Sequence, residues 1–392
     1  MGDEKKSNGT FRARINSRGY EQVDGEHYDK DNVASPTVNI VTVRIMLVLM
    51  ILMSGYGHLV DINGAFLLGN FEADINTHEE REVHMEVPQG FHKFLPAGHW
   101  IMLLLRTLYG NKQAAKRFWL FILGVFVHLL GYKYNRVDPC LFYKWTKDGL
   151  VLWSTWIDDC LSVGPKKDIV IQEKERLKSL VKCEDTGEVK EYVGCKIDYD
   201  KKERSIKITQ PVLLQSFEDE FTLPKLKPVT PAQPNTTLQH VEDLGSEGSA
   251  DMKTYQKGVG KLLHVMRWSR PDILNATREV SRFMTNAVEA HVKALNKLMD
   301  YCVATKKRGL FLKPVGCWDG KDKNYKFKVS GISDTKFCKD KKTRKSVGGH
   351  SVYLNMALVA IACRMQRIVA LSVTEAEFIQ LVECAQDMLF VW

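Results

Sequence analysis

The sequence predicts an α+β protein of more than one domain, and three observations lead to that fold class. Residues 11 to about 205 alternate between short runs of branched and aromatic residues, which favour strands, and longer apolar runs, which favour helices. Residues 252–306 carry apolar side chains at three- and four-residue spacing, which is typical of helices. From about Lys326 a strand-rich pattern leads into a final helix. A length of 392 residues accommodates two or three domains, each with its own core.

The most distinctive element of the first region is a hairpin that carries two adjacent aspartates. Residues 150–157 and 160–163 are apolar and strand-forming, and Asp158 and Asp159 lie between them. Two like charges in an apolar segment are costly to desolvate unless a cation or a basic group neutralises them. An acidic turn between two strands is the alternative interpretation, because Asp is common in turns.

A third aspartate lies far upstream of this hairpin. Asp61 ends the apolar run Gly57–Val60, and turn-forming residues follow it. A strand that ends at Asp61 beside the hairpin would bring three carboxylates together from distant parts of the chain. Mg²⁺ prefers carboxylate oxygens, and two such ions about 3.5–4 Å apart support phosphoryl transfer. The three acids therefore outline a two-metal site.

Other segments are assigned from composition and length. Residues 45–53 and 118–132 are apolar or uncharged runs that fall short of the ~20 residues of a membrane-spanning helix, so both predict buried helices. Residues 194–199 and 205–209 flank a charged stretch and predict a hairpin. Residues 224–250 are rich in Pro, Thr, Ser and Gly, which indicates a loop or linker.

Composition narrows the class of protein without identifying it. Apolar residues make up 44% of the chain and charged residues 26%, as in a soluble globular protein. Lys and Arg exceed Asp and Glu by 56 to 47, which mildly favours a polyanionic partner, although a solvated basic surface explains the excess equally well. The nine cysteines show no Cys-x-x-Cys pair, which argues against a zinc ribbon and a secreted disulfide framework. No secretory signal is apparent, so a cytoplasmic or nuclear location is expected.

A series of short motifs, all in one order, gives the sequence a family resemblance. The motifs include Asp61–Leu67, Met85–Phe91, Leu108–Ala114, Asp138–Phe142, Asp185–Lys190, Arg270–Ile273, Thr343–Ser346 and Leu371–Phe378. Each is weak alone, but their common order makes chance a poor explanation. With them, the sequence resembles the reverse transcriptase and ribonuclease H region of the polyprotein of copia-type LTR retrotransposons, from about Phe11 to Trp392.

This resemblance implies the right-hand fold of reverse transcriptases followed by a partial ribonuclease H-like domain. It implies fingers and palm in residues 1–223, a linker in 224–251, a helical thumb or connection in 252–325 and the ribonuclease H-like part in 326–392. The implied activity is RNA-directed DNA polymerisation with Mg²⁺, or Mn²⁺ in its place. The implied partners are an RNA template, a DNA primer and deoxynucleoside triphosphates, with no role for a membrane.

Site residues follow from the resemblance where the motifs match. Asp61, Asp158 and Asp159 correspond to the polymerase catalytic residues and metal ligands. The remaining matches concern nucleotide binding: Phe66 corresponds to the aromatic that lies under the sugar and excludes a ribose 2′-hydroxyl, Gln113 belongs to the block that lines the nucleotide and template pocket, and Arg12 and Arg14 would hold the triphosphate. Taken alone, these four residues are equally explained as a core aromatic, an ordinary glutamine and two exposed arginines on an edge strand.

The last region matches only part of a second site. Asp334 and Glu377 resemble the first two carboxylates of a ribonuclease H site, which also uses two metals. The later acids of that fold are expected further beyond Glu377 than the chain extends, and Asp387 does not replace them. The chain is therefore expected to be a fragment truncated at both ends and to lack ribonuclease H activity.

Two functional hypotheses remain at this point. The three aspartates favour an active RNA-directed DNA polymerase. The alternative is a catalytically dead retroelement relic that at most binds nucleic acid. It is favoured by the expected truncation at both ends, by Leu103 and Leu105, which stand where family members often carry basic residues, and by residues 118–132, which are more hydrophobic than the helix that the family has there. Trp156 replaces the usual tyrosine before the paired acids and weakens the case for polymerase activity.

Overall fold

The computed structural model describes residues 2–5, 11–71, 82–96, 98–233, 237–239 and 250–392, with the backbone alone for residues 2–5 and 11–14. Strands and helices alternate in the first half of the chain, helices dominate residues 252–304, and strands return after residue 310. The predicted α+β class is confirmed.

Strands and helices of the described residues are numbered along the chain. The strands are β1 (Gly2–Lys5), β2 (Phe11–Arg14), β3 (Tyr56–Ile62), β4 (His84–Glu86), β5 (Ile101–Leu103), β6 (Lys133–Tyr134), β7 (Leu141–Thr146), β8 (Gly149–Trp156), β9 (Asp159–Gly164), β10 (Cys183–Glu188), β11 (Glu191–Tyr192), β12 (Cys195–Asp200), β13 (Ser205–Thr209), β14 (Leu310–Leu312), β15 (Val329–Lys336), β16 (Val347–Leu354) and β17 (Ala357–Met365). The helices are α1 (Ile40–Leu52), α2 (Ala114–Gly124), α3 (Lys167–Leu180), α4 (Pro211–Glu220), α5 (Met252–Trp268), α6 (Leu274–Ser281), α7 (Glu289–Ala304) and α8 (Val373–Val391).

The central sheet of the described residues has six antiparallel strands in the order β10–β3–β9–β8–β7–β6. Leu59 and Leu161 pack on one face with α1, whereas Val60 and Cys160 pack on the other with α2 and α3. Helices cover both faces, and β8 is therefore apolar and buried along nearly its whole length.

Helix α1 forms because its capping and composition suit a buried helix. The Asn39 side chain accepts a hydrogen bond from the backbone N–H of Val41 (2.9 Å), which satisfies a free donor at the first turn. The helix is apolar on all sides, as expected of one enclosed by other elements. It ends before Ser54, whose φ of 48° breaks the helical conformation.

A second sheet orders its strands β11–β12–β13–β14. The predicted hairpin is present as β12 and β13. Strand β14 comes from the segment predicted as helical, residues 252–325, and pairs with β13. Helices α4 to α7 pack around a separate core that includes Phe217, Val259 and Leu298.

The last described elements form a three-stranded antiparallel sheet, β15–β16–β17, with α8 packed against β15 and β16. This sheet is tied to α1 and α5 by a buried guanidinium. Arg44 on α1 donates to the carbonyl of Val359 on β17 (3.2 Å) and to the carbonyl of Arg267 on α5. Burial lowers the pKa of Arg44 to about 10, so the side chain stays charged near neutral pH.

Across the described ranges, we find no helix with the length and apolar composition needed to cross a bilayer. All nine cysteines are free thiols.

Candidate active site

The antiparallel register of β3 and β9 brings two of the predicted aspartates together. Asp61, near the end of β3, and Asp159, the first residue of β9, are direct partners in this register. Direct partners in an antiparallel pair point to the same face, with Cβ atoms about 4.5–5.5 Å apart. Both side chains are partly buried. The sheet thus places two carboxylates side by side at its end.

The third aspartate lies in the tight turn that joins β8 to β9. Trp156 pairs with Asp159, so Ile157 and Asp158 form a two-residue hairpin loop. The carbonyl of Asp158 accepts a hydrogen bond from the backbone N–H of Ile62 (3.0 Å), which fixes the turn against the end of β3. Ile157 has a φ of 54°, a conformation that is strained for a β-branched residue. Strain of this kind clusters at functional sites.

The electrostatics of the site show that these carboxylates influence one another. Burial, together with the negative charges of Asp158 and Asp61, raises the pKa of Asp159 to about 6. Near neutral pH the site therefore holds a carboxylate whose ionised form is disfavoured by its surroundings. A cation bound between the acids would remove this penalty.

A fourth carboxylate lies beside the three that sequence reasoning identified. Glu184 on β10 is the direct partner of Asp61 on the side of β3 opposite Asp159. One face of the sheet therefore carries Glu184, Asp61 and Asp159 in a row across three strands, and the Glu184 side chain is exposed. The motif at residues 185–190 begins directly after Glu184 and does not include it. Only the pairing of β10 with β3 reveals its position, and sequence spacing gives no direct signal for that pairing.

The chemistry of these residues suits a divalent cation. Carboxylate oxygens are the ligands that Mg²⁺ prefers, and burial together with the charges of Asp158 and Asp61 raises the pKa of Asp159, so a bound cation would stabilise its ionised form. No described group of three or more His, Cys, Asp or Glu side chains has an arrangement that would hold a metal ion. The donor chemistry of Asp61, Asp158 and Asp159 fits the cation, and their assignment as ligands stays a prediction.

Phe66 lies close to the end of β3, in the short 3₁₀ helix Ala65–Leu68. Its ring packs edge-on against Tyr109 (centroids 5.2 Å apart) and Phe118 (6.5 Å). Its carbonyl accepts a hydrogen bond from the hydroxyl of Thr107. These contacts fix the ring a few residues beyond Asp61 and leave it partly exposed. The contact of Phe66 with a nucleotide sugar stays a prediction.

Gln113 is buried at the start of α2 and is held by polar contacts to the segment before α1. Its Nε2 donates to the carbonyl of His27 (3.1 Å), and its Oε1 accepts from Gln22 (3.0 Å). Gln22 in turn accepts from the backbone N–H of Lys112 (2.8 Å). This network ties two distant segments together, a structural role that sequence reasoning missed because the partners lie about ninety residues apart.

Arg12 and Arg14 lie on β2, which pairs with β1. Their side chains lie outside the described part of the structure, so their predicted contact with a triphosphate stays a prediction. Trp156 packs edge-on against Trp268 at the end of α5 (centroids 5.8 Å apart, interplanar angle 70°).

The two predicted ribonuclease H-type acids come from different elements. Asp334 lies on β15 opposite Gly349 and is exposed, whereas Glu377 lies near the start of α8. A Cβ at Gly331 or Gly348 would collide with α8, so alternate residues of β15 starting at Gly331 face that helix. Asp334 therefore lies on the opposite face. There it lines a cleft of about 790 Å³ between the sheet and α6.

Comparison with known proteins agrees with this description. Residues 2–234 match the family described as "Reverse transcriptase (RNA-dependent DNA polymerase)". The chain belongs to this reverse transcriptase family.

Relatives extend the similarity to nearly the whole chain. It is 28% identical over 389 residues to the retrovirus-related Pol polyprotein from transposon TNT 1-94 of Nicotiana tabacum, and 26% identical over 383 residues to that from transposon RE1 of Arabidopsis thaliana. Each match covers 97% of this chain, which spans about a quarter of those relatives (27% and 24%). The predicted resemblance to copia-type retrotransposon polyproteins is confirmed.

A solved structure is also similar to this chain. The match is to a foamy viral protease-reverse transcriptase in complex with ds DNA, with a TM-score of 0.46 and 10% sequence identity. It covers 99% of this chain and 55% of that one.

Proposed function

We propose that this chain is an RNA-directed DNA polymerase that extends a DNA primer on an RNA template. The observation that carries the proposal is the cross-strand pairing of Asp61 with Asp159, next to a turn that holds Asp158. Membership in the reverse transcriptase family supports the reaction type.

The three aspartates would bind cations together from two places, the strand pair and the turn. Asp61 and Asp159 would hold divalent cations on the face of the sheet, and Asp158 would complete the ligand set from the turn. When bound, the cations supply charge stabilisation and activate the attacking oxygen in phosphoryl transfer. The chain itself contributes a rigid strand pair and a turn fixed by the Ile62 N–H, so the carboxylates are oriented before a nucleotide arrives.

The pKa of Asp159 makes the proposed site sensitive to pH. Cations bind the ionised carboxylate, so protons compete with metal below the pKa of about 6. We expect primer extension to fall as the pH drops through about 6, with higher Mg²⁺ restoring part of the activity.

Phe66 is the residue that we propose contacts the sugar of the incoming nucleotide. Its ring is fixed by Tyr109 and Phe118 near the end of β3. A fixed ring can exclude a ribose 2′-hydroxyl by contact, whereas a mobile one cannot. Phe66→Ala should therefore raise incorporation of ribonucleotides relative to deoxynucleotides, measured by competition on one template.

Primer extension with a labelled DNA primer on an RNA template, in Mg²⁺ and in Mn²⁺, tests the proposal. The wild type should extend the primer, and Asp158→Asn should abolish extension. Glu289→Gln, on the exposed surface of α7, is the matched control and should retain activity. If the folded wild type extends nothing in either metal but binds nucleic acid in a salt-sensitive manner, the polymerase proposal is wrong and the chain is a noncatalytic binder.

A further inference from the structure

An exposed aromatic cluster lies on the loop that joins β4 to β5. It consists of Phe91, His92, Phe94 and Trp100, together with Lys93, and we call it the aromatic loop. Phe94 is 72% exposed and Trp100 is 62% exposed. Monomeric proteins rarely present large side chains of this kind together without a partner.

The rings are arranged against one another rather than scattered. His92 lies 4.7 Å from Trp100 between ring centroids, and Phe91 lies 6.1 Å from Phe94. The ammonium group of Lys93 lies 5.1 Å from the centre of the Phe94 ring. The backbone N–H of Val87 donates to the carbonyl of Trp100 (2.9 Å), which anchors one end of the loop to the β4–β5 hairpin.

The rings of this loop and the charge of the chain segment that carries it indicate the class of partner. Between Val87 and Val137 the sequence contains no Asp or Glu. The same stretch contains seven basic residues: Lys93, Arg106, Lys112, Lys116, Arg117, Lys133 and Arg136. Exposed aromatic rings with Lys93 beside them suit unpaired nucleic acid, since bases stack on the rings and phosphates meet the cation. The carboxylate of the hairpin, Glu86, lies at the base of the loop, where its residue pairs with Ile101.

We propose that the aromatic loop is a stacking platform for a single nucleic-acid strand, namely the unpaired part of the template ahead of the primer. The assignment of that strand as template rests on the proposed polymerase function, whereas binding of an unpaired strand does not. The chemistry recognises bases of any sequence, because every base presents a flat face for stacking.

The position of the aromatic loop along the chain limits its distance from the candidate active site. Thr107 follows Trp100 by seven positions, and its hydroxyl donates to the carbonyl of Phe66 near the candidate active site. Seven extended residues span at most about 25 Å. Stacked nucleotides advance about 3.4 Å each along a strand, so the platform lies within about seven template nucleotides of Phe66.

Equilibrium binding of a labelled single-stranded oligonucleotide tests the proposal without any need for catalysis. Replacing Trp100 and Phe94 with Leu keeps apolar bulk and removes the stacking faces. We expect the double variant to bind between about five- and a hundred-fold more weakly, as for loss of about one stacked base. The dependence of affinity on salt should not change, because no charge is removed. Trp100→Phe should retain most of the affinity.

Two control variants distinguish stacking on the aromatic loop from a general effect of exposed rings or of charge. Trp392→Leu removes a tryptophan that is even more exposed than Trp100, at another surface, and should leave binding unchanged. Lys93→Gln should reduce the salt dependence by about 0.7 in slope, the value for one phosphate contact on a single strand. Circular dichroism of each variant checks that the fold is intact.

Template overhangs connect the platform to the proposed function. The double variant should lose affinity for a primer–template with about twelve unpaired template nucleotides, but not for one with about two. Asp159→Asn should bind both primer–templates as tightly as the wild type does. The binding result therefore tests the platform even if the polymerase proposal fails. Unchanged binding of single strands by the double variant would overturn the platform. The platform would also be overturned if sedimentation showed that the double variant changes only the self-association of the chain.

Discussion

Two sheets of this chain carry carboxylates that belong to the family motifs. Strand register brings the first set together on one face of its sheet, but it does not bring the second set together. In the central sheet, Asp61 and Asp159 are direct partners on one face, and the pKa of Asp159 responds to its acidic neighbours. In the sheet β15–β17, Asp334 lies on the face away from α8, the helix that carries Glu377. Motifs identify candidate residues, but only the pairing of strands determines whether those residues meet.

The surroundings of the two sets differ as well. Asp159 begins a strand that is otherwise buried, in a sheet covered by helices on both faces. Asp334 is exposed beside a cleft of about 790 Å³. Desolvation makes the charge of the first set costly, and this cost is what a bound cation would relieve. The exposed position of Asp334 gives a cation no comparable advantage.

The largest difference between the sets should appear in primer extension. Asp61→Asn removes a carboxylate from the paired row, and we expect extension to fall by at least about a thousand-fold, equivalent to about 4 kcal/mol. Asp334→Asn should leave extension within about two-fold, because its strand contributes nothing to the central sheet. Single-turnover extension rates measure both. Equal losses of extension rate in the two variants would contradict the conclusion that only the first set of carboxylates forms the site.

The connection between the two sheets is the next place to test the comparison. Arg44 is buried in α1 and binds a carbonyl on β17 and another on α5. Arg44→Ala would leave both carbonyls without this donor and open a cavity, at a cost of about 2–4 kcal/mol in the free energy of unfolding. Chemical denaturation measures this cost, and hydrogen exchange should show the larger loss of protection in β17 rather than in β3.

Arg267→Ala is the matched control for Arg44. The Arg267 side chain is exposed, and Arg44 contacts only its backbone carbonyl, which the substitution keeps. We expect a change within about 0.5 kcal/mol. A large loss of stability in this control would show that the charge of α5, rather than the Arg44 contacts, determines the result.

Local patterns in the sequence predicted three of the six described strands of the central sheet. The apolar run up to Asp61 and the two halves of the Asp158–Asp159 hairpin became β3, β8 and β9. Their pattern was readable because branched and aromatic residues between turn formers favour strands. Residues 45–53 became part of α1, since an uncharged run too short to span a membrane suits a buried helix.

Contacts between distant segments could not be predicted in the same way. Glu184 joins the acid row only because β10 pairs with β3, and Gln113 is held by residues about ninety positions away. Strand β14 lies in the segment predicted as helical, residues 252–325, although beyond the helical spacing of residues 252–306, and it forms because β13 offers it an edge. Each of these features depends on tertiary pairing, which local propensity does not encode.

The raised pKa of Asp159 predicts a gain in stability when its charge is removed. Because its pKa in the folded protein is about 6 rather than 3.8, the folded state binds a proton more tightly than the unfolded state. The penalty is absent below about pH 3.8, grows as the pH rises from there, and is complete above about pH 6. Asp159→Asn should therefore be more stable than the wild type above about pH 7, on the order of 1 kcal/mol after allowance for partial exposure.

Urea denaturation at about pH 4 and about pH 7.5 measures this effect. The two proteins should converge at the lower pH and differ at the higher, and Mg²⁺ should reduce the difference by stabilising the wild type alone. Asp198→Asn, on the exposed surface of β12, is the control and should show no such pH-dependent gain. A variant less stable than the wild type at the higher pH would contradict the assigned electrostatics.

The smallest expected effect concerns the turn that positions Asp158. Ile157 adopts a φ of 54°, which costs a non-glycine residue about 1–2 kcal/mol, whereas glycine adopts it freely. Glycine also gains entropy in the unfolded chain, so Ile157→Gly should stabilise the protein by only about 0.5 kcal/mol. Val193→Gly, at a similar φ of 48° in the turn between β11 and β12, is the control for the backbone effect. If the strain serves to hold Asp158, Ile157→Gly alone should also slow primer extension, whereas Val193→Gly should change stability without changing the extension rate.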